Sequence, residues 1–289
     1  MGETHPRREA GWSRRDLRDL EKGEKPGQGH PKVTGVLPVA LEDATKVVHA
    51  LLGSGKEYVC VMKLHKELPE NRVKEVLGLF QGKIFQRPPI RASVKRQIRV
   101  RKIYYLEVLE IDERNVLFKV GCEAGTYIRK LCYDMGEVLG CGAHMHELRR
   151  TRSGPFTETG DIVTLHDIAY LYSKWQETQD LNILRKFIQP MEKALELLPK
   201  INIRDSAVDA LCHGAHLTAP GVVSLETGIE AGSKTCIFTL KGEAVALATA
   251  TTTTQEILKK NHGIIARNDR VLMPRGTYPK LWRTKQQKP

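Results

Sequence analysis

Hydrophobic and polar positions take on a regular order only from Val33 onward. Runs in which every second residue is apolar predict strands, because side chains alternate between the two faces of a sheet. Apolar residues three or four positions apart predict helices with one buried face. The predicted strands are 58–64, 103–111 and 116–122, and the predicted helices are 71–80, 127–139, 165–175 and 190–198, with helical or mixed spacing over 44–52. This mixture predicts an α+β fold.

The pattern changes near residue 200, where short β-type runs are separated by glycines. The segments 234–240 and 243–250 flank a Lys241-Gly242 turn, an arrangement that predicts a β-hairpin. Repeated short strands with glycine turns are typical of a small barrel-like module. We therefore predict a domain boundary near residue 200, with a small β-barrel after it.

The ends of the chain are predicted to lie outside both domains. Residues 1–30 carry thirteen charged side chains and almost no apolar periodicity. Such a segment buries too little apolar surface to offset the entropy of ordering it. It is predicted to be a disordered leader, and residues 283–289 are predicted to be a basic tail.

Composition narrows the class of protein. The 46 Lys and Arg residues exceed the 34 Asp and Glu residues, which gives a net charge of +12 and favours a polyanionic partner. The sequence contains neither a membrane-spanning apolar run nor a secretory signal, so we expect a soluble intracellular protein that does not contact a membrane. The six cysteines lack the spacing of zinc-binding pairs and are expected to be small buried hydrophobes, with no metal site.

The segment 81–102 contains eight Lys or Arg residues and no acidic residue. Pro88-Pro89 lies within it, and since prolines interrupt regular secondary structure, the segment is predicted to be a basic loop. A merely solvated face normally mixes both signs of charge, which favours a nucleic-acid contact here. The residues predicted to contact RNA are Arg87, Lys95, Arg96, Arg99 and Arg101.

Two further motifs carry arginines. In CEAGTYIRKLC (122–132), Arg129 lies in the first turn of a predicted helix at a semi-buried position; it either pairs with an acidic group or a phosphate, or is an ordinary surface residue. In GAHMHELRRTRSGPF (142–156), Arg149 and Arg150 are predicted to add to the RNA contact. His144 and His146 share a strand face without a third ligand nearby, so they are predicted to be satisfied polar side chains and not metal ligands.

Together with KEY (56–58) and QRPPIRASVKR (86–96), these motifs resemble, in the same order, the TruB family of pseudouridine synthases and within it the archaeal and eukaryotic dyskerin type. DSAVDALCHGAHL (205–217) and LKGEAVALATA (240–250) resemble a PUA domain. The resemblance covers roughly residues 31–282. It implies a mixed-sheet catalytic domain over 31–199, incomplete at its N-terminus, followed by an RNA-binding PUA domain over 200–282.

The resemblance implies the catalytic subunit of an H/ACA ribonucleoprotein, which converts uridine to pseudouridine in rRNA or tRNA under the direction of a guide RNA. The implied partners are these RNAs and the Gar-type and Nop-type protein subunits, and the reaction needs no cofactor. The segment 81–102 corresponds to a mobile thumb that closes over the RNA. Because the chain lacks a long lysine-rich tail, we expect an archaeal-like, cytoplasmic protein, or a nucleolar one if it is eukaryotic.

The resemblance also implies roles at an active site. A pseudouridine synthase flips the target uridine out of the RNA, breaks its glycosidic bond and rejoins the base through C5. Tyr58 matches the tyrosine that stacks on the flipped base and takes part in proton transfer. Arg129 matches the arginine that pairs with the nucleophilic aspartate, and Leu148 matches the apolar residue that packs against the uracil.

The resemblance breaks off at the nucleophile. The family's Gly-Thr-Leu-Asp-Pro run aligns so that its proline is Pro31, and His30 occupies the position of the aspartate. An imidazole beside Arg129 is disfavoured in its charged form and cannot hold a guanidinium bidentately. Two explanations stay open: a shifted frame or wrong start joined to a genuine body, or a degenerate paralogue. The chain is therefore predicted to be an RNA pseudouridine synthase or, alternatively, an inactive RNA-binding scaffold of the same particle.

Overall fold

The computed structural model describes residues 33–88, 95–159, 162–185 and 187–281. His30, with the rest of the predicted leader, and the predicted tail 283–289 lie outside these residues. The described chain divides into two compact units, one of residues 33–35 and 58–150, the other of residues 36–57 and 151–281. Each unit has an apolar core of its own.

A seven-stranded mixed sheet organises the first half of the chain. Its strands are β1 Val33–Gly35, β2 Lys56–Leu64, β3 Gly82–Gln86, β4 Arg99–Asp112, β5 Asn115–Cys122, β6 Ala143–Ser153 and β7 Phe156–Thr157. They lie in the order β1-β6-β2-β5-β4-β3, with β7 paired to β6. Strand β1 runs parallel to β6, whereas β3, β4 and β5 pair in antiparallel fashion. The predicted mixed sheet is therefore present.

The first helix of the chain, α1 Val48–Gly53, belongs to the second unit, and α2 Glu70–Gly78 and α3 Ile128–Leu139 accompany this sheet. The apolar stripes predicted for α2 and α3 are buried and join the strands in one core. Helix α3 ends as predicted at Gly140, which adopts a left-handed φ of 76° that glycine accepts without strain. Residues buried in this core include Cys60, Met62, Leu64, Val73, Val76, Leu77, Phe118, Cys122, Leu131, Cys132 and Met135.

One glycine of α3 is required by packing. A Cβ at Gly136 would lie 2.1 Å from the amide nitrogen of Ala143, which begins β6. A Cβ at Gly78, the last residue of α2, would meet nothing within 4 Å. These two helical glycines therefore form a natural comparison.

We expect Gly136→Ala to lower the free energy of unfolding by about 1–3 kcal/mol, because the added methyl group separates α3 from β6. The matched variant Gly78→Ala has open space, and the lower backbone entropy of alanine in the unfolded chain stabilises it by up to about 1 kcal/mol. Urea denaturation of both variants measures the difference. Equal stability of the two would show that the approach of α3 to β6 is loose.

The second unit contains a six-stranded sheet. Its strands are β8 Lys200–Ile203, β9 Leu217–Thr218, β10 Val222–Leu225, β11 Lys234–Thr239, β12 Ala244–Ala250 and β13 Ile264–Val271. They lie in the order β10-β8-β11-β12-β13-β9. Strands β8 and β11 are parallel, and the pair predicted at 234–250 is the antiparallel hairpin β11–β12. This curled half-barrel sheet encloses its own apolar core. The unit's further helices are α4 Leu165–Thr178, α5 Leu181–Arg185, α6 Asp205–Cys212 and α7 Thr254–Lys259.

Two predicted helical segments differ from the structure. The segment 190–198 forms only a short 3₁₀ turn, Met191–Leu195, because it lies between Pro190 and Pro199 and its Leu195 side chain is drawn into the core. The segment 44–52 is divided between a 3₁₀ helix, Glu42–Val47, and α1. None of the helices among the described residues is long and apolar enough to cross a membrane.

Candidate active site

The prediction of a basic loop over 81–102 was wrong at its two ends, because residues 82–86 and 99–102 are strands that pair as a β-hairpin, whereas residues 87–88 and 95–98 have no regular secondary structure. Strands β3 and β4 pair from Gly82 opposite Ile103 to Gln86 opposite Arg99. Strand β3 ends at Gln86, two residues before Pro88, which cannot donate to a strand ladder, and β4 begins at Arg99. We call residues 82–103 the basic hairpin; residues 89–94 of it lie outside the described part.

The hairpin divides its basic side chains between two environments. Successive residues of a strand point to opposite faces, and Arg99 and Arg101 share the face on which both are half-buried. Arg87, Lys95 and Arg96 lie beyond the paired strands and are exposed. Of the five side chains of segment 81–102 that are predicted to contact RNA, these three are the best placed to meet a phosphate.

The opposite face of the hairpin mixes charge with exposed apolar surface. Lys83 pairs across from Lys102, and Phe85 pairs across from Val100. Phe85 is 74% exposed and Val100 is 47% exposed. Lysines beside an exposed aromatic ring are a combination that suits a nucleic acid, because a base can stack while a phosphate pairs with the charge.

The base of the hairpin holds the start of α3. Gln86 is only 2% exposed, and its amide pairs in both directions with the backbone of Tyr127. The Tyr127 N–H donates to Gln86 Oε1 at 3.0 Å, and Gln86 Nε2 donates to the Tyr127 carbonyl at 3.2 Å. Tyr127 is the N-cap of α3 and lies two residues before Arg129. Sequence reasoning missed this contact, since nothing local connects two residues 41 positions apart.

Strand β4 also contacts the turn that precedes α3, residues 123–126, at two points. The Lys102 N–H donates to the Glu123 carboxylate at 3.0 Å, and the Glu123 N–H donates to the Lys102 carbonyl at 2.8 Å. Gly125 has a φ of 78°, and a Cβ there would lie 3.2 Å from Arg101 Nη2. The Arg101 guanidinium therefore packs on the turn, and we assign this arginine a structural role beside its predicted RNA contact.

Arg129 is exposed on the first turn of α3, which corrects its predicted semi-buried position. Its neighbour Lys130 is paired with Asp134 one turn further along. Within the described residues, Arg129 itself forms no hydrogen bond or ion pair. The guanidinium is thus available to an acidic group or a phosphate, and the position that the resemblance assigns to its partner, His30, lies outside the described part.

Tyr58 lies on β2 and packs against the first core. Burial raises the pKa of its hydroxyl, the nearby Cys122 thiol adds to the rise, and the Arg150 guanidinium, within hydrogen-bonding reach, lowers it. A phenol is neutral near pH 7 at its ordinary pKa, and the raised pKa of Tyr58 makes ionisation harder still, so stacking suits this ring better than the role of a base. Arg150 was predicted only as an RNA contact; its link to Tyr58 was missed.

The strand that carries Arg150 also positions Leu148. Leu148 is 8% exposed, joins the same core as Tyr58 and lies opposite Val33 in the register of β1 and β6. Arg149, the residue between Leu148 and Arg150, is exposed and lines an open cleft. The structure therefore brings Tyr58, Leu148 and Arg150 to one part of the first unit, and Arg149 to another face of β6.

The histidines of the 142–156 motif behave as polar side chains. His144 Nδ1 lies 3.1 Å from His65 Nε2, a satisfied contact between two rings. His146 lines the cleft beside Arg149. Across the residues that the structure describes, no group of three His, Cys, Asp or Glu side chains is arranged to hold a metal ion.

Three family profiles match the chain. They are described as tRNA pseudouridylate synthase B C-terminal domain over residues 129–196, PUA domain over residues 199–272, and Pus10, C-terminal over residues 5–138. The "Probable tRNA pseudouridine synthase B" of Methanopyrus kandleri is 55% identical over 93% of this chain and 79% of its own length. The protein of the same name from Pyrococcus horikoshii is 57% identical over 94% of this chain and 81% of its own.

Solved structures agree with these relatives. A chain of a Cbf5-Nop10-Gar1 complex is 54% identical, with a TM-score of 0.86 over 92% of this chain and 82% of that one. A chain of an H/ACA ribonucleoprotein bound to a substrate RNA is 52% identical, with a TM-score of 0.83 over 93% of this chain and 84% of that one. Both fold and sequence are shared over nine-tenths of the chain. The chain belongs to the TruB family of pseudouridine synthases, in the branch of archaeal Cbf5 proteins with a C-terminal PUA domain.

Proposed function

We propose that this chain is the pseudouridine synthase subunit of an H/ACA-type ribonucleoprotein, which binds RNA through the basic hairpin and presents a flipped uridine to Tyr58, Leu148 and Arg129. The observation that carries the proposal is the position of Arg129. It is an exposed guanidinium on a helix that packs on the core shared by Tyr58 and Leu148, and the basic hairpin holds the start of that helix.

The chemistry proposed for the site is the family's isomerisation. Tyr58 stacks on the flipped uracil as a neutral ring, and Leu148 packs against the base from β6. The glycosidic bond between C1′ and N1 breaks, the base turns, and a new bond forms from C1′ to C5. C5 then loses its proton, and N1, which is no longer bonded to C1′, takes one up. Atoms and electrons balance within the nucleotide, so no cofactor is required. Arg129 holds the carboxylate nucleophile in place by a bidentate pair.

The carboxylate itself is missing at the position that the resemblance assigns to it. His30 stands where the family has its aspartate. We therefore expect the chain as written to bind RNA while forming little or no pseudouridine. The second candidate function, an RNA-binding scaffold without turnover, is favoured by this one substitution and needs no other change in the described residues.

The partners follow from the solved relatives. Nop10, Gar1 and a substrate RNA are named in those structures, and we propose that this chain assembles with Nop-type and Gar-type subunits and with a guide RNA. The target is a uridine in rRNA or tRNA. Because the relatives are archaeal, we place the particle in the cytoplasm.

The RNA-binding part of the proposal is tested by a charge reversal. We expect Arg96→Glu to weaken the binding of guide RNA and to lower the slope of log Kd against log salt by about one unit, because one phosphate contact is lost. Kd values of the full chain, measured from 50 to 300 mM salt by fluorescence anisotropy, give that slope. Lys66→Glu makes the same change of charge at another exposed position of the first unit and serves as the matched control.

The two variants separate the possible outcomes. A slope that falls for Arg96→Glu alone supports RNA binding at the hairpin. An unchanged slope for Arg96→Glu would overturn the assignment of the basic hairpin as the RNA-binding site. Equal falls in slope for both variants would show that only the net charge of the protein matters.

A further inference from the structure

We infer that Gln86 is a positioning residue: when RNA binds the basic hairpin, Gln86 restrains the start of α3 and with it Arg129. This inference rests on the proposed function, since it names how RNA binding regulates the same site. It concerns a buried side chain whose amide is occupied by hydrogen bonds to the backbone. Its evidence is the geometry at the base of the hairpin.

The Gln86 amide forms its hydrogen bonds with the backbone of the protein and not with solvent. It is buried, and both polar atoms of its amide are used by a single residue, Tyr127. A side-chain amide that pairs with both the N–H and the carbonyl of one residue reproduces the pairing of a neighbouring strand. Leaving those two buried backbone groups without partners would cost stability, so the contact fixes the position of Tyr127.

Helix α3 depends on this external contact at its start. Tyr127 supplies no side-chain cap, so the first turn, which carries Arg129, is not fixed by a local Ser, Thr, Asp or Asn. The contacts of Lys102 and Arg101 with the preceding turn are also made by the hairpin. Three residues of the hairpin therefore set where α3 begins.

The hairpin is also where RNA is proposed to bind. Gln86 is followed directly by the exposed Arg87, and its partner across the strand pair is Arg99. A phosphate that draws Arg87 and Arg96 into place restrains the end of β3, and through Gln86 it restrains Tyr127. When RNA is not bound to the hairpin, the first turn of α3 and its Arg129 are less restrained. The rate of turnover therefore depends on the binding of RNA to the hairpin.

Hydrogen exchange of the full-length chain tests the coupling without requiring turnover. The probe is a guide RNA annealed to a target strand that contains uridine. In the wild-type chain we expect RNA to slow exchange both in peptides of the hairpin and in peptides of residues 123–131. In Gln86→Met, which keeps the volume but removes both hydrogen bonds, the hairpin is still protected and the protection of 123–131 falls about tenfold.

The matched control is Gln81→Met. Gln81 donates to the Tyr104 carbonyl at the other end of the hairpin at 3.4 Å, but it is exposed and does not contact the turn before α3. We expect it to leave both sets of peptides as in the wild type. Gln86→Glu provides a second variant should Gln86→Met not fold: it keeps the acceptor for the Tyr127 N–H, and on protonation it regains the donor, so protection of 123–131 is stronger at pH 5 than at pH 8.

The outcomes distinguish the inference from the function on which it rests. If RNA protects the hairpin and residues 123–131 equally in the wild type, Gln86→Met and Gln86→Glu at both pH values, Gln86 transmits nothing and the inference is overturned. If RNA protects no peptide of the wild-type hairpin, the proposed function itself fails and the coupling fails with it. Loss of protection at 123–131 alone supports the inference.

Discussion

His30→Asp is expected to raise pseudouridine formation by the reconstituted particle at least about a hundredfold over the chain as written. The resemblance places the family's nucleophile at this position, and an imidazole cannot replace a carboxylate that is held bidentately by a guanidinium. Arg129 has no partner among the described residues, and the resemblance assigns to position 30 the carboxylate that pairs with it. The measurement is the pseudouridine content of a target strand after incubation with guide RNA and the Nop-type and Gar-type subunits.

The control for this variant is His30→Asn, which has the shape of aspartate without its charge. We expect it to stay at the level of the wild-type chain. Rapid turnover by the wild-type chain would refute the requirement for a carboxylate and the view of His30 as a disabling residue. A His30→Asp chain that binds RNA and forms no product would favour the scaffold function, because more than the nucleophile would then be missing.

The parts of the fold that sequence predicted well are those in which local pattern and tertiary contact agree. The stripe of Ile128, Leu131 and Met135 is both the hydrophobic period of α3 and the face that it buries, and Gly140 ends the helix by its own conformational freedom. The β11–β12 hairpin follows the same logic around Lys241-Gly242. In such elements no distant residue has to be known.

The errors arose where a distant residue decided the structure. The prolines of the basic segment predicted a loop, but Arg99 to Lys102 form a strand because β3 and β5 supply partners for the ladder of β4. The turn at 191–195 is fixed by burial of Leu195 in the second unit. Rules based on neighbouring residues indicate which backbone conformations and hydrogen bonds a residue excludes. They do not indicate which distant residue it contacts in the folded chain.

The candidate site shows the same division. Motif resemblance predicts roles for Tyr58, Leu148 and Arg129, because each is part of a recognisable run. Neither the buried amide of Gln86 nor the contact of Arg150 with Tyr58 is visible in any local run, since both depend on the register of strands far apart in the chain. Contacts between distant backbone and side-chain groups therefore have to be taken from the structure.

The second large effect concerns Arg129. In the His30→Asp background we expect Arg129→Met to lower turnover at least about a hundredfold. Without the guanidinium, the carboxylate at position 30 is no longer held in the orientation that its attack on the substrate requires. In the chain as written the same substitution should change the free energy of unfolding by no more than about 0.5 kcal/mol, since the side chain is exposed and unpaired within the described residues. Single-turnover assays and denaturation curves of the four chains give both quantities.

Lys130→Met is the matched control, because Lys130 is the next residue of the same helix and is already engaged by Asp134. We expect it to lower turnover less than threefold in either background, with stability reduced by about 0.5 kcal/mol through the loss of that ion pair. If Arg129→Met and Lys130→Met lower turnover equally, the first turn of α3 contributes to turnover only through its positive charge and not through a specific pairing of Arg129. If Arg129→Met lowers turnover only when position 30 carries a carboxylate, the two side chains act as one pair, and the pair, not the arginine alone, makes this surface a catalyst.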